Sequence, residues 1–112
     1  MPATVTHTAV IPISDTVSNA CDLGNVGPSE GLAGFVLPAE FTGTAIKFQV
    51  SADDVTYRAL YNAGTELSIT VAQARAQGLT ADQRALLFGW RFVKLVSGSA
   101  EAAERSIQVL VK

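Results

Sequence analysis

Several sets of residues in this chain have types that can do chemistry. His7 and Cys21 are its one histidine and one cysteine, so they form the only imidazole–thiol pair available. A Cys–His dyad works only where the two converge beside an orienting group and an oxyanion hole. Their spacing supplies neither, and they read as a strand-borne His and a Cys buried like a small hydrophobe. Asp22, Asp53 and Asp54 offer oxygens to a cation such as Ca²⁺, which takes about six to eight of them. The dense Asp/Asn loop of such a site is missing, and Asp53 and Asp54 read as turn formers. Gly24, Gly27 and Gly31 suggest a phosphate cradle, but such loops feed a helix N-terminus. Here they feed the apolar run at 32–37, which reads as a strand, so the loop is a connection or a contact loop. Trp90, Tyr57, Tyr61 and Phe92 have faces on which a sugar can stack. In so short a chain the core claims aromatics first, and Phe48, Tyr57 and Trp90 are expected to be buried. No catalytic residue, metal or cofactor is expected.

The elements that must position these residues are read from periodicity. Ile46, Phe48 and Val50 alternate with Ala45, Lys47 and Gln49, the mark of a half-buried strand. Residues 51–54, Ser-Ala-Asp-Asp, have turn chemistry, and Val55-Thr56-Tyr57 resumes a strand, so 44–61 is a β-hairpin. Before it, 4–13 reads as a first strand or an extended arm, with Pro12 suited to an edge or a strand end. Residues 16–23 and 32–37 read as further strands, the second of them central. After it, 66–71 is a strand with Leu67, Ile69 and Val71 in phase. Thr70-x-x-Gln73 and Thr80-x-x-Gln83 both fit the capping box, so short helices or 3₁₀ turns are expected over 72–77 and 81–88. Residues 90–97 and 105–112 are the last two strands, expected to pair as an antiparallel hairpin. The fold class is therefore all-β: an antiparallel β-sandwich or jelly roll with one or two short helices inserted around 72–88. One domain over 1–112 is expected, with 1–13 as a candidate extended N-terminal arm.

Charge narrows the partners. Charged residues make up 16% of the chain, against roughly 25% in ordinary soluble domains. The eight Lys and Arg are scattered and are outnumbered by ten Asp and Glu. Nucleic-acid binding requires a basic stripe, so direct binding is not expected. A lone cysteine allows no intrachain disulfide. The start of the chain lacks the cationic and apolar regions of a secretory signal, and the apolar runs are too short for a bilayer. A small domain this poor in charge leaves neutral surface outside its core, and such surface is usually covered by a partner. The arm 2–13 is uncharged apart from His7 and rich in β-formers. Lying along a neighbour, it would add a strand held by main-chain bonds. Thr4, Val5, Thr6, His7, Val10 and Ile11 of the arm, with Asn25 and Val26 of the loop, are the candidate interface.

Two stretches carry a family resemblance. FQVSADDVTYRALY resembles the hairpin of discoidin-like and galactose-binding-like jelly rolls, and GWRFVKLVSG resembles a later strand of those folds. The overall plan is similar to that of small tailed-phage virion proteins. Asp22-Leu23-Gly24 is followed by GFVLPAEFTGTAIKFQVSADDVTY, then LYNAGTELSITV, then GWRFVKLVSG, over about four-fifths of the chain. The resemblance implies a non-enzymatic structural protein of the virion, such as a capsid decoration (cement) protein, a head fibre or a tail-associated module, with the decoration protein that binds the assembled shell as the first choice. The partners implied are the major capsid protein and copies of the chain itself, with no membrane, after synthesis in the host bacterial cytoplasm. The alternative implied is a carbohydrate-binding jelly-roll module of a phage tail or fibre, with a glycan as ligand. Two departures stand out: Asp54 occupies the position where that hairpin turn usually has Gly, and the Ala-rich stretch 72–85 is more helical than a plain sandwich needs.

Overall fold

The computed structural model describes residues 5–24 and 30–111. In chain order these form β1 (Val5–Ile11), β2 (Cys21–Asp22), β3 (Leu32–Val36), β4 (Ala45–Ser51), β5 (Arg58–Ala59) and β6 (Tyr61–Asn62). There follow β7 (Thr65–Glu66), β8 (Ser68–Thr70), β9 (Ala76–Gly78), α1 (Ala81–Leu87), β10 (Phe92–Ser97) and β11 (Arg105–Val111). One sheet has the order β1-β11-β3-β9, and the other β2-β10-β4-β5 with β8 also on β4. All the pairings are antiparallel, and β6 and β7 make a small separate hairpin. The architecture is the expected all-β sandwich.

Alternation builds its core. Ile46, Phe48 and Val50 of β4 face Val93 and Leu95 of β10 on one inner surface. Ala9 and Ile11 of β1, Ile107, Val109 and Val111 of β11, and Leu32 and Phe35 of β3 supply the other. Phe35 meets Phe48 edge to face across the two layers, ring centroids 6.3 Å apart, a geometry that adds to simple burial. Leu87 brings α1 onto the same core, and Phe41 plugs it from a loop.

Two expectations need correction, and one open reading is decided. The last two strands do not pair with each other: β10 lies between β2 and β4, and β11 between β1 and β3, in different sheets. The small-residue loop 98–104 crosses from one layer to the other, held by the buried Glu101. The helix expected over 72–77 does not form. Ala74 takes a left-handed φ of 60° and donates its N–H to Pro38, while Leu37 donates to the Arg75 carbonyl. That turn delivers Ala76–Gly78 to the open side of β3 as a strand. Only the second capping box is used: the Thr80 hydroxyl accepts from the Gln83 N–H, and the Gln83 amide accepts from the Thr80 N–H. Residues 5–11 are the first strand of the chain's own sheet, not a free arm; residues 1–4 lie outside the described residues.

The organising hairpin is present with a longer turn than expected. β4 returns through β5, and the expected strand 55–57 belongs to the turn. Ser51 Oγ accepts from the N–H groups of Asp53 and Asp54, and Asp53 Oδ1 accepts from Val55 and Thr56. Asp54 has a φ of 61°, the left-handed region in which Gly is at ease and Asp is tolerated.

Candidate functional site

The pleat that buries one set of side chains displays the other, and the two outer surfaces of the sandwich differ in kind. On the β1-β11-β3-β9 sheet, register places Thr8, Gln108, Val36 and Ala76 in one row across four strands. Leu110, Gly34 and Gly78 form the next row, and Val10 stands opposite Ser106. None of these nine residues is charged. Val10, Val36 and Leu110 are only half-buried, so apolar carbon reaches the solvent on this side. A shallow apolar depression of about 320 Å³ lies between Leu110, Ala33, Gly34, Ala76 and Gly78. Gly34 is required there by close approach: a Cβ would stand 2.7 Å from the Gln77 carbonyl oxygen. The absence of side chains at Gly34 and Gly78 is what makes the depression.

The opposite face carries charge, and most of it is engaged. Arg91 grips Asp22 with two bonds, Nε to Oδ1 at 2.8 Å and a terminal nitrogen to Oδ2 at 3.0 Å. That grip, with the Gly24 N–H bonded to the same carboxylate, pushes the Asp22 pKa down to about 2. Arg91 also lies 5.0 Å over the Phe92 ring, and Lys94 lies 4.2 Å over Tyr57. Burial and a hydrogen bond to the Asp54 carboxylate raise the Tyr57 phenol well above its ordinary value. Lys47 pairs with Glu66 at 3.4 Å. At the end of this sheet a cleft of about 320 Å³ is bounded by Trp90, Val50, Leu60, Asp53, Thr56 and Arg58.

The residues singled out from sequence fall as follows. Thr4, Asn25 and Val26 lie outside the described residues. Val5, Thr6, His7, Val10 and Ile11 lie on β1, where Val10 belongs to the neutral face. Ile11 cannot serve an interface: it is 0% exposed and part of the core. His7 stands opposite the buried Val109, and its Nε2 is buried without a hydrogen-bond partner among the described residues. No hydrogen bond joins His7 to Cys21, whose thiol is buried and whose pKa is raised by that burial. A protonated thiol is a poor nucleophile. Asp53 is committed to its turn, and the three bonds it accepts there lower its pKa. Among the described residues, no three His, Cys, Asp or Glu gather as metal ligands, and no helix is long and apolar enough to cross a membrane.

Comparison with protein-family models, with curated proteins and with solved structures gives no match. The site is therefore argued from its own chemistry. Sequence reading missed Val36, Ala76, Gln108 and Leu110. The alternation of Ser106, Gln108 and Leu110 against Ile107, Val109 and Val111 does signal an uncharged outer row. Nothing local signals that β9 would extend it.

Proposed function

We propose that this chain is a non-enzymatic structural protein that attaches to a larger assembly through the neutral face of the β1-β11-β3-β9 sheet. The observation that carries the reading is a four-strand outer surface that holds no charged side chain among the described residues, on a protein whose other face carries two ion pairs. Neutral surface is inexpensive to dehydrate, because no ion has to give up its water. Size adds a second argument. Four strands about 4.8 Å apart and three to seven residues long offer a footprint of roughly 350 Å². A stable pairwise interface uses about 800 Å² on each partner. One such face holds weakly, and it holds firmly only where many copies act together or where neighbouring faces join. That behaviour suits a shell. With the resemblance to small tailed-phage virion proteins, the specific form we propose is a capsid decoration protein seated on the major capsid protein and on neighbouring copies of itself. Binding only the assembled state would stabilise that state by mass action.

The test is to add purified chain to heads of the tailed phage that carries it and to image the particles. Copies at symmetry-related positions, with the neutral face down, are expected. The double variant Gln108→Lys, Leu110→Glu should fold normally and leave the heads bare. Heads that bind neither protein, or both equally, would refute the proposal.

One observation favours the glycan reading. Trp90 lies half-buried in the cleft beside Arg58, which enters no ion pair among the described residues. An aromatic wall with a free cation at its rim suits a sugar that bears a carboxylate. Trp90 is the only tryptophan, so its fluorescence would report a titration with acidic oligosaccharides directly. A flat titration removes this second reading.

A further inference from the structure

Of the four strands that end the orders of the two main sheets, three are blunted by shortness. β2 and β5 have two residues each and β9 has three. The fourth edge, β1, has seven. Long edges are normally protected by Lys, by Pro within the strand or by a bulge. VTHTAVI contains none of these, and its register to β11 runs unbroken from Val5↔Val111 to Ile11↔Arg105.

The direction of its peptide groups follows from one contact. Val10 donates its N–H to Asn19 Oδ1 at 2.6 Å, and its carbonyl accepts from the Asn19 N–H at 3.1 Å. The backbone of Val10 therefore points away from β11. In an antiparallel ladder, residues that bond the neighbour alternate with residues that face outward. Thr8 and Thr6 share the phase of Val10, so their N–H and C=O groups also face outward. Asn19 caps only the far end. Nothing among the described residues bonds the outward groups of Thr6 and Thr8, and the Thr8 side chain is exposed.

We infer that β1 pairs antiparallel with β1 of a second copy, joining two four-stranded sheets into one of eight strands. Pairing a strand with its own copy in this sense is two-fold and closed, so Thr6 and Thr8 of each chain are satisfied together and no open chain of subunits results. No carboxylate, lysine or arginine occurs from Val5 to Ile11, so none meets its like across the axis. The pairing also brings the two neutral faces side by side and takes their footprint from roughly 350 to roughly 700 Å², close to the size a stable interface needs. The pairing stands on the geometry of the edge; only its use on an assembly rests on the function proposed above.

Sedimentation of the pure chain from micromolar to millimolar concentration tests it, together with deuterium exchange at Thr8. Thr8→Pro removes an outward N–H without touching the β1–β11 ladder, and Thr8→Lys places a charge on the edge and leaves the backbone intact. We expect a two-chain species, slower exchange at Thr8 as concentration rises, and a dissociation constant raised about tenfold or more in both variants. If the proline variant fails to fold, the lysine variant decides. A wild-type chain that stays single across the series overturns the inference. So does a two-chain species that both folded variants form equally well. A single chain that still coats phage heads would sink this pairing alone, and a pair that ignores heads would sink the shell reading alone.

Discussion

Glu101 shows how one buried charge holds an otherwise apolar body together. It is 2% exposed. Its Oε1 accepts from the Thr42 N–H at 2.8 Å and from Arg105 Nε at 3.0 Å, and its Oε2 accepts from the Thr42 hydroxyl at 2.9 Å. Its backbone carbonyl takes the Ser14 N–H as well. Three stretches of chain, around Ser14, Thr42 and 101–105, thus meet at one residue. Burial alone would raise its pKa, but the bonds from Thr42 and Arg105 outweigh burial and the pKa is lowered. Glu101→Ala strands the half-buried Arg105 and should destabilise by about 3–5 kcal/mol, read from urea denaturation. The pH dependence has a definite sign. A carboxylate with a depressed native pKa contributes fully above its unfolded value, and that contribution fades as pH falls through the native one. Glu101→Gln should therefore flatten the acid limb of the stability curve while leaving less difference from wild type at low pH. An unchanged acid limb would show that Glu101 is not the titrating clamp.

Strands were legible in this sequence, and apart from the hairpin over 44–61 their partners were not. Ile46-Phe48-Val50 and Ile107-Val109-Val111 announce a half-buried strand because pleating alone fixes their period. Pairing is decided by the shape of the whole core, and so β10 and β11, adjacent in sequence, went to different layers. The stretch 72–78 misled for a local reason: Ala, Gln and Arg favour a helix, but the free edge of β3 offers ladder bonds that a one-turn helix cannot match. Gly78 thus reads as a helix stop, whereas in the fold it stands beside Gly34 in a strand. The neutral face was half visible. Val10 and the outer row of β11 are present in the alternation, while β9, which completes the face, depends on tertiary contact. Gly34→Val tests that dependence. Its Cβ would fall 2.7 Å from a backbone oxygen, with no flexible side chain to yield. The substitution should cost about 1–3 kcal/mol as overpacking and peel β9 from β3. The sign of peeling is faster amide exchange at Leu79, whose N–H donates to Ala33. Protection at Leu79 equal to wild type would mean that β9 adapts without leaving.

Taken as a body, the molecule has one face that carries ion pairs, with Arg58 at its end in no ion pair among the described residues, and one whose described outer rows hold no charged side chain. These faces predict opposite responses to salt. Exposed ions more than about 8 Å apart are largely screened at physiological ionic strength, and closer exposed pairs weaken further as salt rises. A contact built on Lys47, Lys94, Arg91 and Asp22 would therefore loosen as sodium chloride is added. A contact built on Thr8, Val10, Val36, Gln108 and Leu110 has no charge to screen, and sulfate should tighten it by favouring apolar burial. Occupancy on phage heads is expected to change by less than about twofold across a range of sodium chloride that screens surface ions, and to rise in ammonium sulfate. The same insensitivity is expected of the β1–β1 pair, which is held by main-chain bonds. A tenfold loss of occupancy in sodium chloride, with the fold intact, would move the attachment surface to the charged sheet.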